Sequence, residues 1–235
     1  MVAVAGVNGT VDLVVPIKPL QRAKSRLRGA LGNDHGDLHS HARLVLALAR
    51  DTVLAARAAR SVRRLLVISS DPVVAAELAD GEVDVVPDPA TTDTTDPLNH
   101  ALHHGSDLLR AADPAATVGV LQADLPALRP AELDAAITAA SGLTRAFCAD
   151  ATGSGTTLLL AAPGVDLRPA FGAGSAQRHR RSGATPLNGD WPGLRRDVDT
   201  LSDLEQAAEL GLGPYTRSLL AARAQPHPAT RESTS

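Results

Sequence analysis

Leu65-Leu66-Val67-Ile68-Ser69-Ser70-Asp71-Pro72-Val73-Val74-Ala75-Ala76-Glu77-Leu78 reads as a strand that turns straight into a helix. Leu65–Ile68 is an apolar run short enough to be a buried strand. Ser69-Ser70-Asp71-Pro72 is a helix start with proline in the first turn, and Val73 to Leu78 continues as a short helix. A second apolar run, Val83–Val86, follows and stops at Pro87-Asp88-Pro89. Strand, helix, strand in close succession is the repeating unit of a parallel sheet.

The same alternation extends in both directions. Upstream, Val11–Val15 is a first strand, and Ala42, Val45, Leu46, Ala49, Val53 and Ala56 recur at helical spacing. Downstream come a helix marked by Leu98, Ala101, Leu102, Leu108 and Leu109, and a strand at Thr117–Leu121. A helix opened by Pro130 follows, then strands at Arg145–Ala149 and Thr156–Ala161. Leu194–Val198 is expected as a late strand, followed by a helix initiated at Ser202. The fold class is therefore α/β: a single domain over residues 11–221, with a mostly parallel central sheet and helices on both faces. Residues 1–10 read as a loose start. Residues 222–235, polar with two prolines, read as a disordered tail.

Composition narrows the function. Only 2% of residues are aromatic, which argues against stacking of nucleic-acid bases, and a net charge of −3 gives no electrostatic case for a long polyanion. Cys148, alone of its kind, forms no internal disulfide and rules out cysteine-rich metal sites. No apolar stretch approaches the roughly 20 residues that span a membrane. The expectation is a soluble, cytoplasmic protein that binds neither nucleic acid nor membrane, with a homodimer left open.

Against 21 arginines stand two lysines, Lys18 and Lys24, both in the loop leaving the first strand. Lysine is a compact point charge suited to phosphate oxygens. In open parallel sheets ligands sit beyond the C-terminal ends of the strands, and the other candidates fall there too. Asp124 directly follows the strand Thr117–Leu121, as a Mg2+ ligand is commonly placed; it also suits a turn before Leu125-Pro126. Asp197 and Asp199, two apart on the expected strand, share one face. Like charges that close call for a cation. Asp199 is equally placed to cap the helix beginning near Leu201. The loop Asp150-Ala151-Thr152-Gly153-Ser154-Gly155-Thr156 exposes N–H groups and hydroxyls to an anion. Ser175 can cap a helix carrying Arg178, His179, Arg180 and Arg181. Asp88 and Asn99, at strand-proximal turns, are nucleotide contacts or plain turn residues. His35, His39, His41, His100, His103 and His104 read as surface residues rather than metal ligands.

Several of these segments resemble one known family in order and spacing. They are Val15-Pro16-Ile17-Lys18 with Lys24-Ser25-Arg26-Leu27, Asp96-Pro97-Leu98-Asn99-His100-Ala101, and Leu121-Gln122-Ala123-Asp124-Leu125-Pro126-Ala127. Gly153-Ser154-Gly155-Thr156, Phe171-Gly172 with Ser175 and His179, and Asp197-Val198-Asp199-Thr200 complete the set. Over about residues 11 to 215 the chain resembles the guanylyltransferases of deazaflavin coenzyme F-420 biosynthesis. Actinobacterial members use phosphoenolpyruvate and archaeal relatives are described as using 2-phospho-L-lactate. The resemblance implies a Rossmann-like nucleotidyltransferase domain with GTP, Mg2+ and phosphoenolpyruvate as ligands. It implies transfer of GMP to give enolpyruvoyl-2-diphospho-5'-guanosine and pyrophosphate. Thr156, Gly172 and Ser175 would bind phosphoenolpyruvate. Asp124, Asp197 and Asp199 would hold metal, and Lys18, Lys24 and Arg26 would take the triphosphate. Ala123 stands where relatives often carry glycine, and Ser154 where threonine is common. The loop 32–39 and the tail lie outside the match. A nucleotidyltransferase for another phosphorylated acceptor would tend to carry a glycine-rich first loop, which Pro16-Ile17-Lys18-Pro19 is not. A non-catalytic nucleotide-binding domain would not need the paired aspartates.

Overall fold

β1 (Val11–Pro16) is buried on both of its faces and lies third in a seven-stranded sheet. Leu13 and Val15 join the core on one face and Val14 the core on the other, as a strand's two-residue period requires. In β2 (Val62–Ile68), Leu65 and Val67 face the first core and Leu66 and Ile68 the second. A strand buried on both faces is mostly apolar, which is why these runs were legible; the exception in β1, Asp12, is buried in an ion pair with Arg63. The computed structural model of the chain describes residues 6–7, 9–21, 23–27, 38–78, 83–89 and 95–224.

The remaining strands are β3 (Asp84–Val86), β4 (Thr117–Leu121), β5 (Arg145–Ala149), β6 (Thr156–Ala161) and β7 (Thr185–Pro186), in the order β3-β2-β1-β4-β6-β5-β7. β2 and β4 flank β1 in parallel, and β7 is parallel to β5. β6 runs antiparallel to both β4 and β5. The rim at the C-terminal ends of β1, β4 and β5 therefore also holds the start of β6, and with it Thr156.

Helices α1 (Leu38–Ala58) and α4 (Pro130–Ala139) bury Val45, Ala49, Val53, Leu133 and Ile137 against one face of the sheet. Between them in the chain come α2 (Pro72–Leu78) and α3 (Pro97–Ala112). α3 starts at Asp96, whose carboxylate accepts the Asn99 N–H, with Pro97 in the first turn. It lies so close to β1 and β2 that a Cβ on Gly105 would stand 2.5 Å from Ile68 Cδ1. After α5 (Ser175–Arg181) and the four-residue α6 (Pro192–Arg195), α7 (Leu201–Leu210) and α8 (Pro214–Ala224) build a third apolar cluster with Leu44 and Leu48 of α1.

Three expectations change. The strand expected at Leu194–Val198 is absent: α6 ends at Arg195 and Arg196 to Asp199 are irregular. The helix expected from Ser202 starts one residue earlier, because Thr200 caps it in a reciprocal pair with Asp203. That leaves Asp199 outside the cap. In the segment read as a loose start, Val7 is buried and its N–H donates to Leu143 O. Residues 1–5 and 8 lie outside the described residues, as do 32–37 of the loop, with His35. Of the expected tail, 222–224 close α8 and 225–235 lie outside the described residues. Among the described residues no helix is long and apolar enough to cross a membrane.

Candidate active site

The rim opens into a cleft of about 670 Å³. Its charged wall is made by Lys18, Lys24, Arg26, Asp124, Asp197 and Asp199, and its other wall by Asp150, Ser154, Gly155, Thr156 and the loop Phe171 to Ser175. Eight of the predicted residues that bear a side chain, and Gly172 with them, are thus brought to one place. Asp88 and Asn99 are not. Asn99 is buried, its Nδ2 donating to Asp96 and to Phe171 O, while Phe171 N–H donates to its Oδ1. Asn99 clamps a cleft loop rather than facing the cleft. The Asp88 N–H is held by Ser70 Oγ, and burial raises its carboxyl pKa against the opposing pull of His100 and His104.

Asp124 is fixed from three sides. β4 delivers it, and Leu125 N–H donates to Thr52 Oγ1 on α1 at 2.9 Å. The hydrogen of the buried Thr52 hydroxyl has Leu48 O at 2.9 Å and Ala123 O at 3.2 Å, so its firm tie to the Asp124 segment is the one from Leu125 N–H. Val198 N–H donates to Asp124 O, which draws the Asp197–Asp199 segment alongside. This backbone tie, and not a shared strand face, brings the three aspartates together. The Asp124 side chain is 13% exposed and that of Asp199 54%, so Asp124 is the inner group and Asp199 the outer.

Lys24 does not stand across from these aspartates but on them: its Nζ is ion-paired with both Asp124 and Asp199. Burial pulls its pKa down, and the two carboxylates outweigh that and hold it above the ordinary lysine value. Its backbone adopts φ +52°, a left-handed conformation uncommon outside glycine and asparagine. The surrounding loop is pinned by Leu20 N–H on Asp71 and by His41, whose Nε2 donates to Ala23 O at 2.7 Å. His41 thus braces the lysine loop.

The polar groups on this wall are not all satisfied. Asp124 Oδ1 is buried without a hydrogen-bond partner. Burial raises the Asp197 pKa well above the carboxylate range, and Asp124 adds to the rise while Lys24 opposes it. Among the described residues no three His, Cys, Asp or Glu side chains already converge as a metal-ligand set. Two inner carboxylates with an orphan oxygen fit a hard cation of the Mg2+ type, which takes one or two protein carboxylates and completes its shell with water and substrate phosphate.

The opposite wall is nearly complete in hydrogen bonds. Asp150 is the one charged side chain on this wall, and its own loop engages both carboxylate oxygens, Oδ1 accepting from Ser154 N–H and Oδ2 from Gly155 N–H; the other lining residues are neutral. Ala176 N–H donates to Ser154 O, linking that loop to α5. Arg178 reaches back to Ala170 O and Phe171 O. Gly172 (φ +113°) and Gly174 (φ +71°) give the turn its left-handed steps. Gly174, not Ser175, is the N-cap, and Ser175 is the buried first residue of the helix. Thr156 Oγ1 is 2.9 Å from His179 Nδ1. Sequence reasoning missed Thr52, which carries no local motif, and Gln122, whose cleft-lining Nε2 is also buried without a partner.

No family model matches the chain. A phosphoenolpyruvate guanylyltransferase from Geodermatophilus obscurus is 50% identical over 215 residues, covering 92% of this chain and 96% of the relative. One from Salinispora arenicola is 52% identical over 217 residues, covering 91% and 94%. Among solved structures, a nucleotidyl transferase from Methanothermobacter superposes with a TM-score of 0.58 at 20% identity, covering 86% of this chain and 98% of that one. A 4-diphosphocytidyl-2C-methyl-D-erythritol synthase does so at 0.54 and 15% identity, covering 86% and 99%. The structures establish a nucleotidyltransferase fold. With half of the residues shared along nearly the whole length of both chains, the protein belongs to the phosphoenolpyruvate guanylyltransferase family.

Proposed function

We propose that the enzyme transfers GMP from GTP to the phosphate of phosphoenolpyruvate, releasing pyrophosphate and enolpyruvoyl-2-diphospho-5'-guanosine, as a cytoplasmic step of coenzyme F-420 biosynthesis. The observation that carries this reading is the pairing, across one cleft, of a charged wall that leaves a buried Asp124 oxygen without a partner with a wall of preset donors whose one carboxylate, Asp150, is engaged by its own loop. It occurs in a chain half identical to phosphoenolpyruvate guanylyltransferases. A nucleotide triphosphate and its metal suit the first wall, and a small phosphorylated acid suits the second.

An oxygen of the acceptor phosphate forms a bond to the α-phosphorus of GTP as the bond from that phosphorus to the bridging oxygen breaks and pyrophosphate leaves. The nucleophile is already an anion, so no side-chain base is needed. Catalysis rests on positioning and on charge neutralisation. Asp124 and Asp197, with Asp199 at the edge, would hold Mg2+, which when bound supplies positive charge to the phosphate oxygens. A triphosphate offers Lys24 another anionic partner beside its two carboxylates. Lys18 and Arg26 add charge at the mouth, and Thr156, Gly172 and Ser175 hold the acceptor.

Pyrophosphate release from GTP and Mg2+, assayed with phosphoenolpyruvate, with 2-phospho-L-lactate and without acceptor, tests the reading. Release dependent on phosphoenolpyruvate is expected. Release with 2-phospho-L-lactate alone would reassign the acceptor, and release with neither would overturn the reaction.

A further inference from the structure

His179 lies wholly out of solvent under the neutral wall, and its two ring nitrogens are both engaged. Ala170 N–H points at Nε2 at 3.0 Å. A backbone N–H can only donate, so Nε2 carries no hydrogen and accepts. A neutral imidazole has one N–H, which must then be on Nδ1. From there it donates to Thr156 Oγ1 at 2.9 Å. The Thr156 hydroxyl is thereby an acceptor toward the ring, and its own hydrogen must point elsewhere. Thr156 is buried except where it lines the cleft, and no other side-chain bond of its hydroxyl is seen among the described residues.

We propose that His179 is a positioning residue for the acceptor, turning the Thr156 hydroxyl into a fixed donor aimed into the cleft. The inference rests on the reading of Thr156 as an acceptor-binding residue. The relay runs from Ala170 N–H through the ring to the hydroxyl hydrogen, and its end suits an anionic oxygen of a carboxylate or phosphate. The same ring anchors Ala170, one residue before Phe171 and Gly172, so it sets both segments that face the acceptor. The neutral state is enforced by the surroundings. Burial, then Arg145 on β5 and Arg178 on α5, lower the His179 pKa to about 4. The rings of Phe147 and Phe171 pack around it with centroids 5.9 and 5.1 Å away. An imidazolium would carry hydrogens on both nitrogens and lose the Ala170 bond.

The test is a double-mutant cycle of His179→Phe and Thr156→Val, with the KM of each substrate read separately. Phe fills the ring volume without either bond. Each single variant is expected to raise the KM for phosphoenolpyruvate about tenfold, the loss of one good hydrogen bond to a charged group, while the KM for GTP stays within about twofold. The double variant should be no worse than Thr156→Val, because His179 acts through that hydroxyl. Multiplied effects, or equal losses for GTP, would overturn the proposal. A ring-nitrogen NMR measurement on the wild type at neutral pH stands even where a variant does not fold. Hydrogen on Nδ1 with Nε2 bare is expected, and the opposite tautomer would refute the relay. Should the wild type show no reaction with phosphoenolpyruvate at all, the reaction assignment fails, and the tautomer alone decides the part played by His179.

Discussion

The two walls of the cleft are built by different means. On the neutral wall the polar groups are bonded before any ligand arrives: Asp150 holds its loop, Asn99 and Arg178 hold Phe171, and His179 holds Thr156. On the charged wall a lysine in a left-handed conformation bridges two carboxylates, an Asp124 oxygen lacks a partner, and the Asp197 pKa is raised. Preset donors suit an acceptor that must be held in one pose. A wall with an unpartnered carboxylate oxygen suits a ligand that brings a cation with it. The comparison predicts that changes on the charged wall act on nucleotide and metal, and changes on the neutral wall on the acceptor.

The largest effect is expected at Asp124. Asp124→Asn keeps the shape and removes the inner charge, and turnover should fall by about 10³-fold or more with the melting temperature little changed. Near-wild-type turnover would remove the metal assignment and the contrast with it. The next effect belongs to the neutral wall and to acid pH. The His179 pKa is about 4 when folded, against an ordinary 6.5, so the unfolded chain binds a proton more readily. Its contribution is complete above pH 6.5, shrinks as pH falls, and is lost once pH passes below 4. It amounts to about 3 kcal/mol. Carboxylates titrate in part of the same range, so the measurement is the difference in unfolding free energy between wild type and His179→Phe from pH 7 to pH 4.5. Parallel curves would show that the ring is not held neutral.

Smaller effects separate the two lysines. Lys24→Ala removes the ammonium that bridges Asp124 and Asp199, and Lys18→Ala removes an exposed charge at the mouth. The KM for GTP should rise more for Lys24→Ala, roughly 10- to 100-fold, than for Lys18→Ala, with phosphoenolpyruvate little affected. Unchanged GTP kinetics in both would leave the lysine pair without a role in nucleotide binding.

The walls also differ in how far they could be read from the chain. Asp124 was legible because a buried apolar strand ends three residues before it, and the Gly/Ser/Thr loop because it joins two such strands. The grouping of Asp197 and Asp199 was anticipated for the wrong reason. The supposed strand is a short helix and a bend, shaped by Glu132 accepting from Gly193 N–H and Leu194 N–H from 61 and 62 residues away. The C-terminal helix was missed for a similar reason. Asp51, on α1, caps it through Tyr215 N–H and Thr216 N–H across more than 160 residues. A cap supplied from so far away leaves no local pattern. Asn99 was read as a nucleotide contact or a turn residue, and its clamp on Phe171 was not legible because it spans 72 residues that only the fold brings together.

Thr52 is the sharpest test of whether Asp124 is held by its backing as firmly as Thr156 is by His179. Thr52→Val keeps volume and branching but leaves Leu125 N–H without its acceptor in a buried position. An orphaned buried N–H costs about 1–3 kcal/mol. Leu48 O keeps its place in the helix ladder, so the loss concentrates on the peptide beside Asp124. The variant should melt lower and bind Mn2+, used as a spectroscopic stand-in for Mg2+, several-fold more weakly, while the KM for phosphoenolpyruvate holds. A fall in stability with unchanged Mn2+ affinity would make Thr52 a core residue only. A rise in the phosphoenolpyruvate KM would show that the two walls are not independent.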